Sequence, residues 1–330
     1  MFVTSRRTII VATLFLIAGC SGGTALQSPS LVSQAANSVV HSGVPFAAPM
    51  LRALVHPERR EGAYPTKKSL VFEGDQEEAA VNIYQTAKLS SNPAPIATIH
   101  VAAGCPYGLA ADKKGTVYVA DNCGGNDVEE YPKGSTTLKT TITDGISNPL
   151  GEAIDAKGNL YVSNYPPSIT VYPPGATSPS ETITGGGMTD PFGLALDKSG
   201  NLYIADFGAS AVFEVRAGST TVTDLDLSGL GEPIGLAYDF KTGYLWETGG
   251  SDNVINVYDP TSSPSPIETF SGNGEPYAIS VQNKGKPNGE VVQSDVTTDA
   301  VYAFKPGSYT PYATLTNGIE LPTGLLITKP

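Results

Sequence analysis

The 330 residues (34.3 kDa) carry 20 Lys and Arg against 32 Asp and Glu, a formal net charge of −12 and a pI near 4.7. An acidic surface of this kind repels phosphate backbones and all but excludes nucleic acid as a partner. With 36 Gly, 26 Pro and only 16% charged residues the chain is too rich in turn formers for a helical protein, while 40% hydrophobic residues suffice for a core.

Arg6 and Arg7 precede an apolar run from Thr8 to Ala18, followed by Gly19-Cys20-Ser21. The run is too short to span a bilayer and suits the core of a signal peptide. Ile17-Ala18-Gly19-Cys20 resembles the lipobox of bacterial lipoproteins, which implies a signal peptide over 1–19 and lipid on Cys20. An ordinary secretory signal fits the small residues equally; the cysteine at the cleavage point favours the lipoprotein. Ser21 after the cysteine implies, by the sorting behaviour of that family, the outer membrane rather than the inner. Between Ser21 and Leu51 there is no charged side chain and no period, and residues 20–65 are expected to be a flexible tether.

Beyond it the chain repeats itself. Pro106-Tyr-Gly-Leu-Ala-Ala-Asp112-Lys-Lys-Gly-Thr-Val-Tyr-Val-Ala-Asp121 returns from Pro149 to Asn164 and from Pro191 to Asp206, with weaker copies from Pro233, Pro276 and Pro322, at offsets of 43, 42, 42, 43 and 46 residues. Each Pro-x-Gly-Leu-Ala is expected to be a short strand and each Asp-x-x-Gly a tight turn, with Leu-Tyr-Val-Ala-Asp returning antiparallel. A third strand follows, as in Asp127–Tyr131, Ser168–Tyr172 and Ala211–Val215; its alternation of apolar and polar residues predicts half-burial. A Thr-rich fourth strand such as 137–142 completes the unit, the pattern of a propeller blade.

The chain stops at 321–328, a first strand with no successor, whereas 69–73, 80–84 and 95–99 are second, third and fourth strands lacking a first. Joined, they make one blade. The expected fold of 66–330 is therefore an all-β, six-bladed propeller of four-stranded antiparallel blades, closed by the C-terminal strand completing the N-terminal blade. The repeat unit resembles NHL-type repeats, within the wider six-bladed superfamily that includes gluconolactonase-like proteins. A single tryptophan, Trp246, and no Trp-Asp dipeptide disfavour a WD-repeat reading.

Extending the expected hairpin register, Leu109 opposite Val119 and Ala111 opposite Val117, sets Cys105 against Cys123, and a disulfide is expected in an exported protein. Strand-one starts and strand-two ends share one edge of each hairpin and so converge on one face of the ring. That face collects Asn148, Asp190, Glu232 and Glu275 before the first strands and Asp121, Asn164, Asp206 and Asp295 after the second, with Glu73 or Asp75 roughly equivalent in blade one. Oxygen ligands suit a hard divalent cation such as Ca²⁺, and the gluconolactonase-like resemblance implies a metal at this end of the channel. The alternative is that these groups cap backbone N–H groups at strand ends.

Tyr107, Phe192 and Tyr277, each following a strand-one proline, are expected to line the channel. The recurring Tyr118, Tyr161 and Tyr203 are expected to pack between blades. Of three histidines, His41 and His56 lie in the tether and only His100 could approach the ring face; no Gly-x-Ser-x-Gly elbow or Cys/His pair is present. The reading is a lipid-anchored envelope module that binds a protein, peptide or glycan. The alternative is a metal-dependent hydrolase or lactonase using Glu73, Asp121, Asn164, Asp206 and Asp295.

Overall fold

The structure, a computed structural model, describes residues 62–102, 104–250, 253–283 and 289–328; the leader, Cys20 and most of the tether lie outside them. Six four-stranded antiparallel sheets form a ring. Blade two, with strands Pro106–Ala111, Val117–Asp121, Asp127–Tyr131 and Thr140–Ile142, shows the plan. Blade one is assembled from both ends: Pro322–Thr328 pairs with Leu70–Asp75, which continues to Ala80–Gln85 and Ala97–His100. The expected closure is thus present, with Phe72 opposite Leu326 and Glu73 opposite Leu325.

The repeat motif explains the blades residue by residue. In the turns, Asp112, Asp155 and Asp197 each accept two backbone N–H groups through Oδ1, from Lys114 and Thr116, Lys157 and Asn159, and Ser199 and Asn201, at 2.7–2.9 Å. Gly115, Gly158 and Gly200 take the left-handed conformation (φ +87°, +93° and +88°) that the turn demands. The strand-one glycines have a different cause. A Cβ on Gly108, Gly151, Gly193, Gly235 or Gly324 would stand 2.9, 2.1, 2.4, 2.5 or 2.5 Å from a carbonyl oxygen of the following blade. First strands crowd one axis, and at these five positions the absent side chain lets them approach; blade six has Ala278 there.

Between blades the core is aromatic and aliphatic. Tyr203 stacks on Tyr238 of the next blade with centroids 5.6 Å apart, and Tyr118 packs among Leu160, Val162 and Tyr172. A second set of tyrosines, at the end of strand three, is buried outright and reaches back to the blade before. The hydroxyls of Tyr84, Tyr172 and Tyr258 donate to the carbonyls of Asn317, Asp144 and Ser228 at 3.0, 2.7 and 3.0 Å. Each gives a buried phenol its partner and ties consecutive blades at their outer edge.

Third strands are buried on both faces rather than half-buried; Asp127–Tyr131 has only its first residue partly accessible. A blade in a ring has a neighbour on each side, so alternation does not mean one solvent face. Before the first sheet, within the expected tether, Gly62–Pro65 already docks: Tyr64 N–H donates to Gly134 O at 3.0 Å and its ring meets Phe72 edge-on at 5.5 Å. A 3₁₀ helix, Thr86–Ser91, that the sequence pattern did not announce connects strands three and four of blade one.

Candidate functional site: the channel and its mouth

The residues after the six strand-one prolines or their equivalent (Tyr107, Leu150, Phe192, Ile234, Tyr277 and Thr323) all line one cavity of ≈ 250 Å³ along the ring axis. Three are aromatic and come from alternate blades, so they meet only across the axis. Tyr107 and Tyr277 lie 6.2 Å apart by centroid and Phe192 approaches Tyr277 edge-on at 6.5 Å, with Phe207 5.9 Å behind Phe192. Burial raises the pKa of both tyrosines, that of Tyr277 further because Tyr107 lies beside it, so both hydroxyls stay protonated at physiological pH. That the three rings approach one another across the axis is not legible in the sequence.

Asn148, Asp190, Glu232 and Glu275 immediately precede the first strands and remain accessible at least in part. Asn148 and Glu232 hold a positive φ (43° and 41°), the entry bend into strand one. Burial pushes Asp190 up to about 6, with a contribution from Asp206, and raises Glu275, to which Asp295 and Glu232 add.

The strand-two ends are strand caps in their observed bonding. Asp121, Asp206 and Asp295 lie directly opposite Pro106, Pro191 and Pro276, and in blade one the residue so placed is Asp75, opposite Pro322, with Glu73 two residues earlier. Asp206 accepts Thr189 N–H, Thr189 Oγ1, Asp190 N–H and Ala209 N–H, all within 2.9 Å, filling both oxygens. Asn164 accepts from Ser147 N–H and donates to Val162 O and Thr170 Oγ1, each at 3.0 Å. Asp295 takes Thr297 N–H, Thr297 Oγ1 and Thr298 N–H on one oxygen. Glu73 is fully buried and faces Asn82 Nδ2 at 3.2 Å, which Thr98 joins, a chain repeated as Glu247, Asn256 and Thr269 in blade five. Among the described residues no three of Glu73, Asp121, Asp206 and Asp295 bring carboxylate oxygens within 4.8 Å of one another.

The disulfide joins Cys105 to Cys123 with Cα atoms 5.2 Å apart. The register behind that expectation shifts, however: Leu109 opposes Val119, but after the bulge Pro106 opposes Asp121 and Asn122 N–H bonds Cys105 O. Cys123 lies one residue beyond the direct partner, still within disulfide reach.

Sequence reasoning passed over Glu152. It is the one charged side chain lining the cavity among the described residues, it is buried, and neither oxygen has a partner at bonding geometry. Burial raises its pKa well above the usual carboxylate range, only partly offset by the Ala110 N–H. The signal was available: the other five repeats have Leu109, Leu194, Leu236, Ile279 and Leu325 there. Glu152→Leu is therefore expected to stabilise the fold by roughly 1–3 kcal/mol, the cost of an unsatisfied buried polar group. A denaturant melt with a lowered midpoint would contradict that accounting.

The raised carboxylates also fix a pH response. Asp75, held by Glu78 and Glu320 N–H groups but pushed by burial to about 6, and Asp190 at about 6, keep protons in the folded chain that the unfolded chain has released. Stability therefore rises as pH falls through about 6 and is lost as pH rises through it. Between pH 7.5 and pH 5.5 the melting temperature should increase by at least about 2 °C; a decrease would contradict the assignment.

No family model matches the chain, and no curated protein matches its sequence. Solved structures match its fold. A chain of the nidogen/laminin complex superposes with a TM-score of 0.65 at 20% identity, covering 79% of this chain and 98% of that one. The WD40 β-propeller domain of Doa1 gives 0.56 at 12% identity over 74% and 78%. A catalytically inactive virginiamycin B lyase from Staphylococcus aureus with quinupristin gives 0.51 at 15% over 80% and 88%. At these identities the likeness is one of fold: a β-propeller.

Proposed function

We propose that this chain is an exported, lipid-anchored binding module of a bacterial cell envelope, which holds a protein or peptide segment, or a glycan, on the channel face of its propeller. The observation that carries the reading is the meeting of Tyr107, Phe192 and Tyr277 across the axis, with Asp190 and Glu275 close enough to act on Tyr277 electrostatically. An aromatic centre within a polar rim is the usual anatomy of a binding surface, and aromatic rings supply contact area at low entropic cost. The carboxylates before the first strands bias the face against anionic ligands and toward neutral or basic ones. A propeller in the nidogen/laminin complex supports a protein partner by analogy of fold.

Binding is favoured over lactone hydrolysis because Asp206 and Asn164 use their polar atoms inside their own blades. Lipid on Cys20, and with it the outer membrane, rests on the lipobox resemblance.

Two measurements test the reading. On peptide and glycan arrays, binding by the wild-type chain should fall at least about tenfold in Tyr107→Ala/Tyr277→Ala, the cost expected of a central aromatic anchor; equal binding by the variant removes the channel face from the account. In cell fractionation the wild-type chain should follow the membranes and Cys20→Ser should not; identical partition would defeat the anchor.

A further inference from the structure

The geometry points to a divalent-cation site, of the size and hardness of Ca²⁺, built by Asp121, Asp127 and Glu129 at one edge of blade two. One carboxylate oxygen from each of the three lies within 4.8 Å of the others, the only such grouping of His, Cys, Asp and Glu among the described residues. Oxygens on opposite sides of a single Ca²⁺ stand about twice 2.4 Å apart, so this spacing fits one shared ion.

The strand register produces the cluster. Asp121 on strand two lies directly opposite Asp127 on strand three, and Glu129, two residues on, projects from the same face as Asp127. Like charges set directly opposite on paired strands are destabilising. The equivalent partners of Asp75, Asn164, Asp206 and Asp295 are Ala80, Ser168, Ala211 and Ala300, so blade two alone pairs acid with acid.

Two further observations point to a ligand. Asp121 is fully buried, and its Oδ2 has no hydrogen-bond partner although Oδ1 accepts Cys105 N–H at 3.1 Å. Its counterpart Asp206 has both oxygens filled by N–H and O–H donors; Asp295 in blade six also leaves Oδ2 without a partner, but no second acid stands opposite it, so blade two alone joins an orphaned oxygen to an opposed carboxylate. The loop also leaves room. A Cβ on Gly125 would stand 2.8 Å from Asp127 Oδ2 and 2.9 Å from Asp121 Oδ2, so the glycine keeps open a space flanked by both carboxylates.

Tyr131 donates its hydroxyl to Glu129 and orients that carboxylate, and the Cys105–Cys123 disulfide pins the loop from the other side. Neither ion pair found among the described residues, Lys139 with Glu130 and Arg216 with Glu214, reaches the three acids. An all-oxygen set with three carboxylates selects a hard cation; waters and backbone carbonyls would complete its shell.

The test is calorimetric titration of the chelator-treated full chain with CaCl₂ and with MgCl₂, in parallel with thermal melts. One equivalent of Ca²⁺ should bind with a Kd of about 1 mM or tighter and raise the melting temperature. Asp127→Asn should weaken binding at least tenfold while raising the melting temperature of the metal-free protein, because it removes an opposed charge. Asp206→Asn, in blade four, should leave the affinity unchanged. Absence of Ca²⁺ binding up to about 10 mM, an order above the weakest extracellular modules, would overturn the site. So would Ca²⁺ binding that survives Asp127→Asn, and binding abolished by Asp206→Asn but not by Asp127→Asn would move the ion to the ring mouth.

Discussion

A chain ending at Leu321 should show no cooperative melt and should elute as aggregate. It lacks the strand Pro322–Thr328, and with it the first strand of blade one and two blade-to-blade seams. Thr323 Oγ1 bonds Pro106 O of blade two at 2.9 Å, and Ile327 N–H bonds Ser280 Oγ of blade six at 3.1 Å. Leu325 and Ile327, both buried, contribute about 3–6 kcal/mol between them by apolar burial. That is comparable to the whole stability of many domains, about 5–15 kcal/mol. Loss of the strand also leaves Leu70–Asp75 as an open apolar edge, the template for aggregation that a closed ring avoids. Near-ultraviolet circular dichroism and size-exclusion chromatography make the comparison. Adding a peptide of residues 319–330 in trans should restore part of the native signal, and a truncated chain that melts like the wild type would refute the closure.

The second large effect is at Gly151. Its φ is not in the left-handed region, so a side chain there is opposed by space alone, and its Cβ would lie 2.1 Å from the Phe192 carbonyl oxygen. The obstacle is backbone, which cannot swing aside as a side-chain tip can. Gly151→Ala should therefore cost at least about 3 kcal/mol, the upper range of overpacking. Gly108→Ala, whose nearest obstacle is at 2.9 Å, should cost less. Gly185→Ala isolates the conformational term, since its Cβ would meet nothing within 4 Å but its φ is +87°; about 1 kcal/mol is expected. Chemical denaturation of the three variants ranks them, and equal costs would show that ring crowding is not what the strand-one glycines relieve.

Much of this architecture was legible because the repeat exposes its own physics. Asp112, Asp155 and Asp197 with their glycines announce hairpins, and the unmatched strands at the two ends of the repeat array announce the joint blade. The parts that were not legible have specific causes. Pattern reading takes the alternation in Asp127–Tyr131 as half-burial, whereas a blade between two neighbours buries Glu129 as well. Register extrapolation ignores bulges, and the strand-one bulge displaced Cys123 by one place from the expected opposition.

The candidate site divides along the same line. The channel aromatics were visible because they follow a repeated proline. Asp127 escaped notice because its neighbour Asp121 acts across strands, a contact that only the pairing of strands two and three reveals. Glu152 stood in plain view as a departure from five apolar residues, but a buried acid is informative only once the cavity it lines is known.

The most direct test of the proposed binding face is photo-crosslinking from the full chain in the cells that make it, with p-benzoylphenylalanine in place of Phe192 in the channel or of exposed Thr182 on the outer strand of blade three. The account predicts a discrete adduct from position 192, lost when Tyr107 and Tyr277 are also replaced by alanine, and none from position 182. Adducts from 182 with none from 192 would place the binding surface on the outer edge of the ring and contradict it.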